Sequence, residues 1–349
     1  MEFFALPPAS RQSLQTNLAD VPWPSVDAAT PTDLLRRCPA AAPTPLLTSS
    51  ALADRAQIAS LSIKDERARM GLGSFKALGA AYVIAHDAQM GPVSGRTYVT
   101  ASAGNHGLSV AAGAAAFGAK AVIFLSETVP SSFAERLRAL GAEVRRHGAR
   151  YEDSMAGAAD AAAQHGWSLL SDSSWPGYVD RPHRLMEGYT VLMQEVIDAI
   201  PRTPTHVFLQ AGVGGLAAAS AAMARMAWGT IPRIIVVEPD AAPALYVSAR
   251  AGAAQVTTGP ASAMGRLDCK EPSLIALKGL GRDADGFMLI TEKEGADGAN
   301  ACLDAGLGST ASGAAGIAGL LAAASGHRDA LGLTRTSRIL AILSEGPEA

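Results

Sequence analysis

His206-Val207-Phe208-Leu209-Gln210-Ala211-Gly212-Val213-Gly214-Gly215-Leu216-Ala217 is the stretch on which the fold turns. His206 to Leu209 reads as a short buried strand, the glycines as a tight turn, and the alanine-rich run beyond as a helix. Glycines at such a turn let successive backbone N–H groups face an anion, and the first helical turn adds partial positive charge. A phosphate suits that geometry. Taken alone, the segment leaves two other readings open. Gly212-x-Gly214-x-x-Ala217 also fits a dinucleotide fingerprint, with Glu238 about 20 residues on, where a ribose-binding acid would sit. A strand-to-helix turn without a ligand is the third.

Outward from this unit the same alternation repeats. Thr97 to Thr100, Ala121 to Leu125 and Ala142 to Arg145 read as strands, with helices at His106 to Phe117 and Ser132 to Leu140 between them. Gly118 and Gly141 stand just past those helices, where C-terminal glycines belong. Arg233 to Val237 and Arg338 to Leu343 are apolar without alternation, as strands covered on both faces must be. Two such blocks predict an α/β protein of two lobes, each a mostly parallel twisted sheet flanked by helices, with a cleft between them. The expected smaller lobe is residues 86–189, set into a larger lobe made of 1–85 and 190–349. Residues 1–45, rich in proline, are expected to form an irregular arm. The Gly- and Ala-rich stretch 305–325 reads as helical.

Of the 349 residues, 48% are hydrophobic and 17% charged, enough to build a large core and too apolar for a disordered chain. Lys plus Arg number 29 and Asp plus Glu 32, a net charge of −3 that predicts neither a nucleic-acid nor a membrane partner. Three cysteines, Cys38, Cys269 and Cys302, have no metal-ligand spacing, and their odd count argues against a disulfide framework. No metal site is expected. The N-terminus lacks a basic start followed by a long apolar run, so a cytoplasmic setting is expected.

Three further motifs carry chemistry. In Gly71-Leu72-Gly73-Ser74-Phe75-Lys76-Ala77-Leu78-Gly79-Ala80 the lysine stands in an apolar setting. Most lysines are solvated surface groups, but a desolvated one has a lowered pKa and suits Schiff-base formation with a carbonyl. Ser102-Ala103-Gly104-Asn105-His106-Gly107 lies between a strand and a helix and offers N–H groups, a hydroxyl and an amide to a carboxylate. His106 there reads better as a structural histidine than as an acid or base. Leu343-Ser344-Glu345-Gly346 ends the last strong strand, where a hydroxyl would point into the cleft or simply end a strand.

The four motifs together, in this order, resemble the fold-type II family of pyridoxal 5'-phosphate (PLP) enzymes, over about Lys64 to Gly346. The resemblance displaces the nicotinamide-dependent oxidoreductase. Within the family the diaminopropionate ammonia-lyases look most similar, through Lys64-Asp65-Glu66, Asp172-Ser173-Ser174-Trp175-Pro176-Gly177-Tyr178, Met186-Glu187-Gly188-Tyr189 and Leu267-Asp268-Cys269-Lys270-Glu271-Pro272. What the resemblance implies is a lyase for a small amino acid, built as a homodimer, that performs α,β-elimination to a 2-oxo acid and ammonia. Lys76 would hold PLP as a Schiff base and take the α-proton. Asn105 would bind the phenolic oxygen, the backbone of Gly212, Val213, Gly214, Gly215 and Leu216 the phosphate, and Ser344 the pyridine nitrogen. Ser102, Ala103, Gly104 and His106 would hold the substrate carboxylate, and Asp172 would position the substrate or assist the leaving amine.

Two departures stand out. Where the ammonia-lyases carry an aspartate thought to serve the D-substrate, this chain has Ala103, so D-enantiomers should be poor substrates. Arg266 and Lys270 replace glycines of that family. They are either solvated loop residues or recognise a second anionic group, with Arg266 as the fork-like donor. A serine/threonine or 3-hydroxyaspartate dehydratase and a β-replacement enzyme are the alternatives within the family, and a non-catalytic PLP carrier is a further one. Cys269 is expected to be a packed thiol.

Overall fold

Strands that are apolar on both faces need cover on both sides, and the chain supplies it with helices. The computed structural model describes residues 1–347. Its strands are β1 (Glu2–Ala5), β2 (Leu46–Thr48), β3 (Ser60–Asp65), β4 (Thr97–Ala101), β5 (Lys120–Leu125), β6 (Glu143–Arg146), β7 (Ser168–Leu169), β8 (His206–Gln210), β9 (Arg233–Pro239), β10 (Gly286–Ile290) and β11 (Arg338–Leu343). They form a seven-stranded sheet in the order β1-β10-β9-β8-β11-β3-β2 and a four-stranded sheet in the order β6-β5-β4-β7. All pairings are parallel except the two edges, β1 on β10 and β2 on β3.

Successive strand residues point to opposite faces, and the large sheet divides its core accordingly. Val207, Leu209, Ile234, Val236, Leu340 and Ile342 enter one cluster with Leu78, Leu185, Ala218 and Leu277 from the covering helices. Phe208, Ile235, Val237, Ile339, Ala341 and Leu343 enter the other with Cys302, Ile317 and Leu320. Tyr98 and Ile123 of the small sheet join the first cluster, so one core runs between the two sheets. Val99, Val122 and Phe124 face away, onto Ala158 and Ala161.

Between the sheets, helix Lys76–Met90 packs on helices Asn105–Ala116 and Asp180–Ala199. Gly79 permits this crossing: a Cβ there would lie 2.7 Å from Tyr189 Cε1 and 2.8 Å from Leu185 Cδ2. The expected lobe boundaries at 85/86 and 189/190 fall inside helices Lys76–Met90 and Asp180–Ala199, while all four strands of the small sheet lie within 97–169.

The N-terminal segment departs from the irregular arm expected of it. β1 adds an edge strand, and helix Pro8–Asn17 lies against helix Leu274–Asp283 with Leu14 fully buried. Helix Ala29–Leu35 places Leu34 and Leu35 in the core. These elements are short and proline-flanked, so their local pattern is weak and their stability comes from what they pack on. Strands β3 and β10 were not expected from the pattern. The stretch 305–325 is helical only from Ala315 on. Before it, Gly313 O accepts from Ser344 N and from Gln210 Nε2, wrapping the end of β11.

A buried ion cluster pins the region before the lysine helix. Arg69 is 2% exposed, Lys64 1% and Glu66 0%. The Arg69 guanidinium donates to Glu66 (2.7 Å), to both oxygens of Glu195 (2.7 and 2.9 Å) and to Ala42 O (2.9 Å). Lys64 Nζ donates to Glu195 and to Thr44 O.

Candidate active site

In parallel sheets the strand carboxyl ends collect the functional loops. Here the loops after β4, β8 and β11 converge with the start of helix Lys76–Met90 on one cleft of about 920 Å³. Every residue given a cofactor- or substrate-site role by the resemblance lines it: Lys76, Asp172, Ser102, Ala103, Gly104, Asn105, His106, Gly212, Val213, Gly214, Gly215, Leu216 and Ser344, and so does Arg266.

Lys76 Nζ donates to the Asp172 carboxylate. This corrects the expectation of a lysine made basic-poor by burial. Burial does push its ammonium down, but Asp172, with Tyr189 and Cys269, outweighs it and the pKa lies above the ordinary value. Burial likewise pushes the Asp172 carboxyl up, and Lys76 and His106 hold it well below the usual carboxylate range. The pair is therefore an ion pair over a wide pH range, 21% and 18% exposed. His106 is buried, and its Nε2–H donates to Leu170 O at 2.7 Å. Burial lowers its pKa, so it is a neutral structural ring, as the sequence suggested.

Asn105 Nδ2 donates to Glu345, a carboxylate only 5% exposed that also accepts from Thr310 Oγ1 and lies 3.8 Å from Arg266 Nε. Glu345 was missed as a site residue. Its only signal was an acid directly after the strand end, next to Ser344. Trp175, from the segment Asp172 to Tyr178, also lines the cleft, as does Tyr151, which no local signature announced. Arg266 lies against the loop after β4: a Cβ on Gly104 would meet its Cδ at 3.3 Å. Lys270 is a different case from Arg266. Its Nζ donates to Ala241 O (2.7 Å) and Pro260 O (2.9 Å) and pairs with Asp268 (2.7 Å), so it staples its own loop. Cys269 lines the cleft as a thiol that burial pushes up to about 12.

The glycine turn leaves an anion cradle open. Gly214 has φ +97° at the N-cap of helix Gly215–Trp228, and no side chain caps the helix. Its first N–H groups thus have no partner within the helix. A Cβ on Gly214 would lie 2.9 Å from both Ala276 Cβ and Leu245 Cδ1. Gly214→Ala is expected to lower stability by about 1–3 kcal/mol through backbone strain, and to weaken PLP binding. Thermal unfolding and absorbance titration with PLP check the two effects.

Glu238 is not a ribose ligand. It is fully buried, and its two oxygens accept from Leu245 N (2.8 Å) and Tyr246 N (2.7 Å) at the start of helix Ala244–Ala251. Burial pushes its carboxyl up to about 8 despite these bonds. Among the described residues no cluster of His, Cys, Asp and Glu could hold a metal, and no helix is long and apolar enough to cross a membrane.

An aldehyde that is also a phosphate ester would use both ends of this cleft, its carbonyl at the Lys76 amine and its phosphate at the open turn of Gly212 to Leu216. The residues thus fit PLP, and the class of protein they define is a PLP-dependent enzyme of two α/β layers. The chain belongs to the pyridoxal-phosphate-dependent enzyme family, whose model matches residues 38–345. It is 32% identical over 343 residues to the diaminopropionate ammonia-lyase of Escherichia coli, covering 87% of this chain and 84% of that protein. It is 35% identical over 269 residues to that of Salmonella typhimurium, covering 69% and 67%. A structure of the E. coli enzyme in complex with an aminoacrylate-PLP azomethine reaction intermediate matches with a TM-score of 0.85 at 28% identity, over 99% of this chain and 93% of that one. Threonine deaminase isoform 2 of Solanum lycopersicum shares the fold, with a TM-score of 0.80 at 21% identity, over 100% of this chain and 94% of that one.

Proposed function

We propose that this chain is an ammonia-lyase that eliminates the β-amine of an L-2,3-diaminopropionate-like amino acid, giving pyruvate and ammonia. The observation that carries the reading is the Lys76–Asp172 pair at the centre of the cleft, in a chain 32% identical to a diaminopropionate ammonia-lyase over most of its length. One water is consumed, and each substrate yields one pyruvate and two ammonia molecules. PLP, when bound, supplies the electron sink that makes the substrate's α-proton removable. Lys76 holds the cofactor and takes that proton. Asp172, once Lys76 is engaged elsewhere, is a carboxylate without its cation and attracts the ammonium of the diamine. Ser102, Gly104 and the start of helix Asn105–Ala116 hold the substrate carboxylate. Asn105 and Ser344 orient the cofactor ring. Ala103 offers no base to a D-substrate.

A second reading, elimination of a hydroxyl from an acidic amino acid such as 3-hydroxyaspartate, is favoured by Arg266 lying against Gly104. Ammonia and 2-oxo acid release from L- and D-2,3-diaminopropionate, L-serine, L-threonine and 3-hydroxyaspartate separates the readings. The expected result is fast release from L-diaminopropionate and slow release from its D-form. Equal rates for the two would defeat the Ala103 argument, and release from hydroxy-amino acids alone would make the chain a dehydratase. Arg266→Ala should raise KM for 3-hydroxyaspartate about tenfold, the worth of one charge-assisted hydrogen bond. An equal KM in both forms removes Arg266 from substrate recognition.

The lobes at 1–85 with 190–349 and at 86–189, a homodimer and a cytoplasmic setting belong to the same reading. The dimer is checked by light scattering.

A further inference from the structure

Tyr189 carries a buried hydroxyl that folding does not use. The residue is 1% exposed, and its Oη has no close hydrogen-bond partner among the groups packed around it, Lys76 being the side chain that bears on it. The ring is held firmly. It meets Phe75 edge-on, with centroids 4.9 Å apart at 64°. A Cβ on Gly79 would lie 2.7 Å from Cε1, and one on Gly215 would lie 3.6 Å from Cε2. Gly79 stands three residues after Lys76, on the same helix face. The ring is therefore wedged between the first turn of the lysine helix and the first turn of the helix that opens the phosphate cradle. Phenylalanine would fill the same space without burying an unpaired hydroxyl, which costs stability.

The charged groups that act on this hydroxyl are Lys76, which reaches it as a hydrogen-bonding side chain as well as by its charge, and Asp172. Lys76 in turn feels Asp172, Tyr189 and Cys269, and His106 acts on both members of the ion pair. Burial keeps the phenol protonated, its pKa above the ordinary value. A neutral phenol can accept from an ammonium and donate to a free amine, so it can serve Nζ in either protonation state.

We propose that Tyr189 is a positioning residue for Lys76: its hydroxyl holds Nζ from the buried side whenever the amine has left the cofactor, keeping it aimed at the substrate. The inference rests on the assignment of Lys76 as the cofactor lysine. It explains how a flexible side chain that must give up its covalent link and then move a proton can stay in register.

The test is Tyr189→Phe, compared with wild type and with Lys76→Ala. The holoenzyme of the Phe variant should lose at least about tenfold in kcat, in the range of a misplaced acid–base group, with KM little changed. The thermal midpoint of this holoenzyme should equal or exceed that of the wild type, because with Lys76 engaged by the cofactor the buried hydroxyl is unpaired. In the cofactor-free protein, the rate at which PLP joins Lys76, followed by absorbance, should depend on pH with a midpoint moved to lower pH, since Tyr189 supports the ammonium. Wild-type kcat with an unmoved pH midpoint would overturn the proposal. So would a fall in kcat accompanied by a lower thermal midpoint, which marks a packing role. If Lys76→Ala still fixes the cofactor covalently on borohydride reduction, the lysine assignment itself fails. If only the Tyr189→Phe expectations fail, that assignment stands.

Discussion

Lys76→Ala is expected to abolish the visible band of covalently held PLP and to lower kcat by at least about 10³-fold, because it removes both the covalent anchor and the proton carrier in one step. The cleft predicts a second consequence. Asp172 is held well below the usual carboxylate range, in the face of burial, by the Lys76 ammonium and by His106. Without that ammonium, burial prevails and the carboxyl moves up. In the wild type the depressed carboxyl contributes stability that is present above the unfolded pKa and is lost as pH falls through the folded one. The variant lacks that contribution. Its thermal midpoint should therefore lie furthest below that of the wild type at neutral pH, and the two should draw together as the pH is lowered below the ordinary aspartate range. Unfolding scans of the cofactor-free proteins from neutral to acid pH check this. A gap that stays constant with pH would show that Asp172 does not depend on Lys76 for its charge.

Arg69→Ala should produce the largest loss of stability, about 3–5 kcal/mol, the cost of leaving a buried ion pair without one partner. Arg69 donates six hydrogen bonds into the cluster, to Glu66, Glu195, Ala42 O and Thr44 Oγ1, at 2.7 to 2.9 Å. Glu66 is 0% exposed and keeps Thr44 Oγ1 as a donor at 2.6 Å, with Lys64 Nζ 3.9 Å away. The net negative charge left behind has no water to turn to. Arg69→Lys should recover only part of the loss, since an ammonium cannot reproduce the fork that spans two carboxylates. Denaturant unfolding measures both. Arg69 does not line the cleft, so kcat of the folded fraction should be unchanged. A loss below 1 kcal/mol would show that the cluster is solvated in solution.

Local chemistry made much of this protein readable. β8, β9 and β11 are apolar without alternation because both faces of a central parallel strand are covered, and that pattern survives in any single sequence. Gly214 announced its turn because only glycine tolerates φ +97° at that close approach. Lys76 announced itself by being a cation among small apolar residues. Each of these signals is contained within a few neighbouring residues, and so the two-sheet α/β fold and the residues around its cleft were legible. The N-terminal elements were not, since helix Pro8–Asn17 is stabilised by the surface it covers on helix Leu274–Asp283 rather than by its own ten residues.

The tertiary structure alone decided the partners. Lys76 meets Asp172 across 96 residues, and Asn105 meets Glu345 across 240. No local pattern encodes such a pairing, because it depends on which loops the parallel strands bring to one edge. The same holds for the residues whose reading changed. Glu238 stands where a ribose-binding acid would stand, yet it closes the start of a helix. Lys270 looked like a possible anion ligand and proved to be a staple for its own loop. Lys76 looked like an amine made neutral by burial, and the carboxylate opposite keeps it charged. Sequence determines which groups are available and how the backbone can turn, while long-range packing determines which charge faces which, and so sets the protonation on which the chemistry depends.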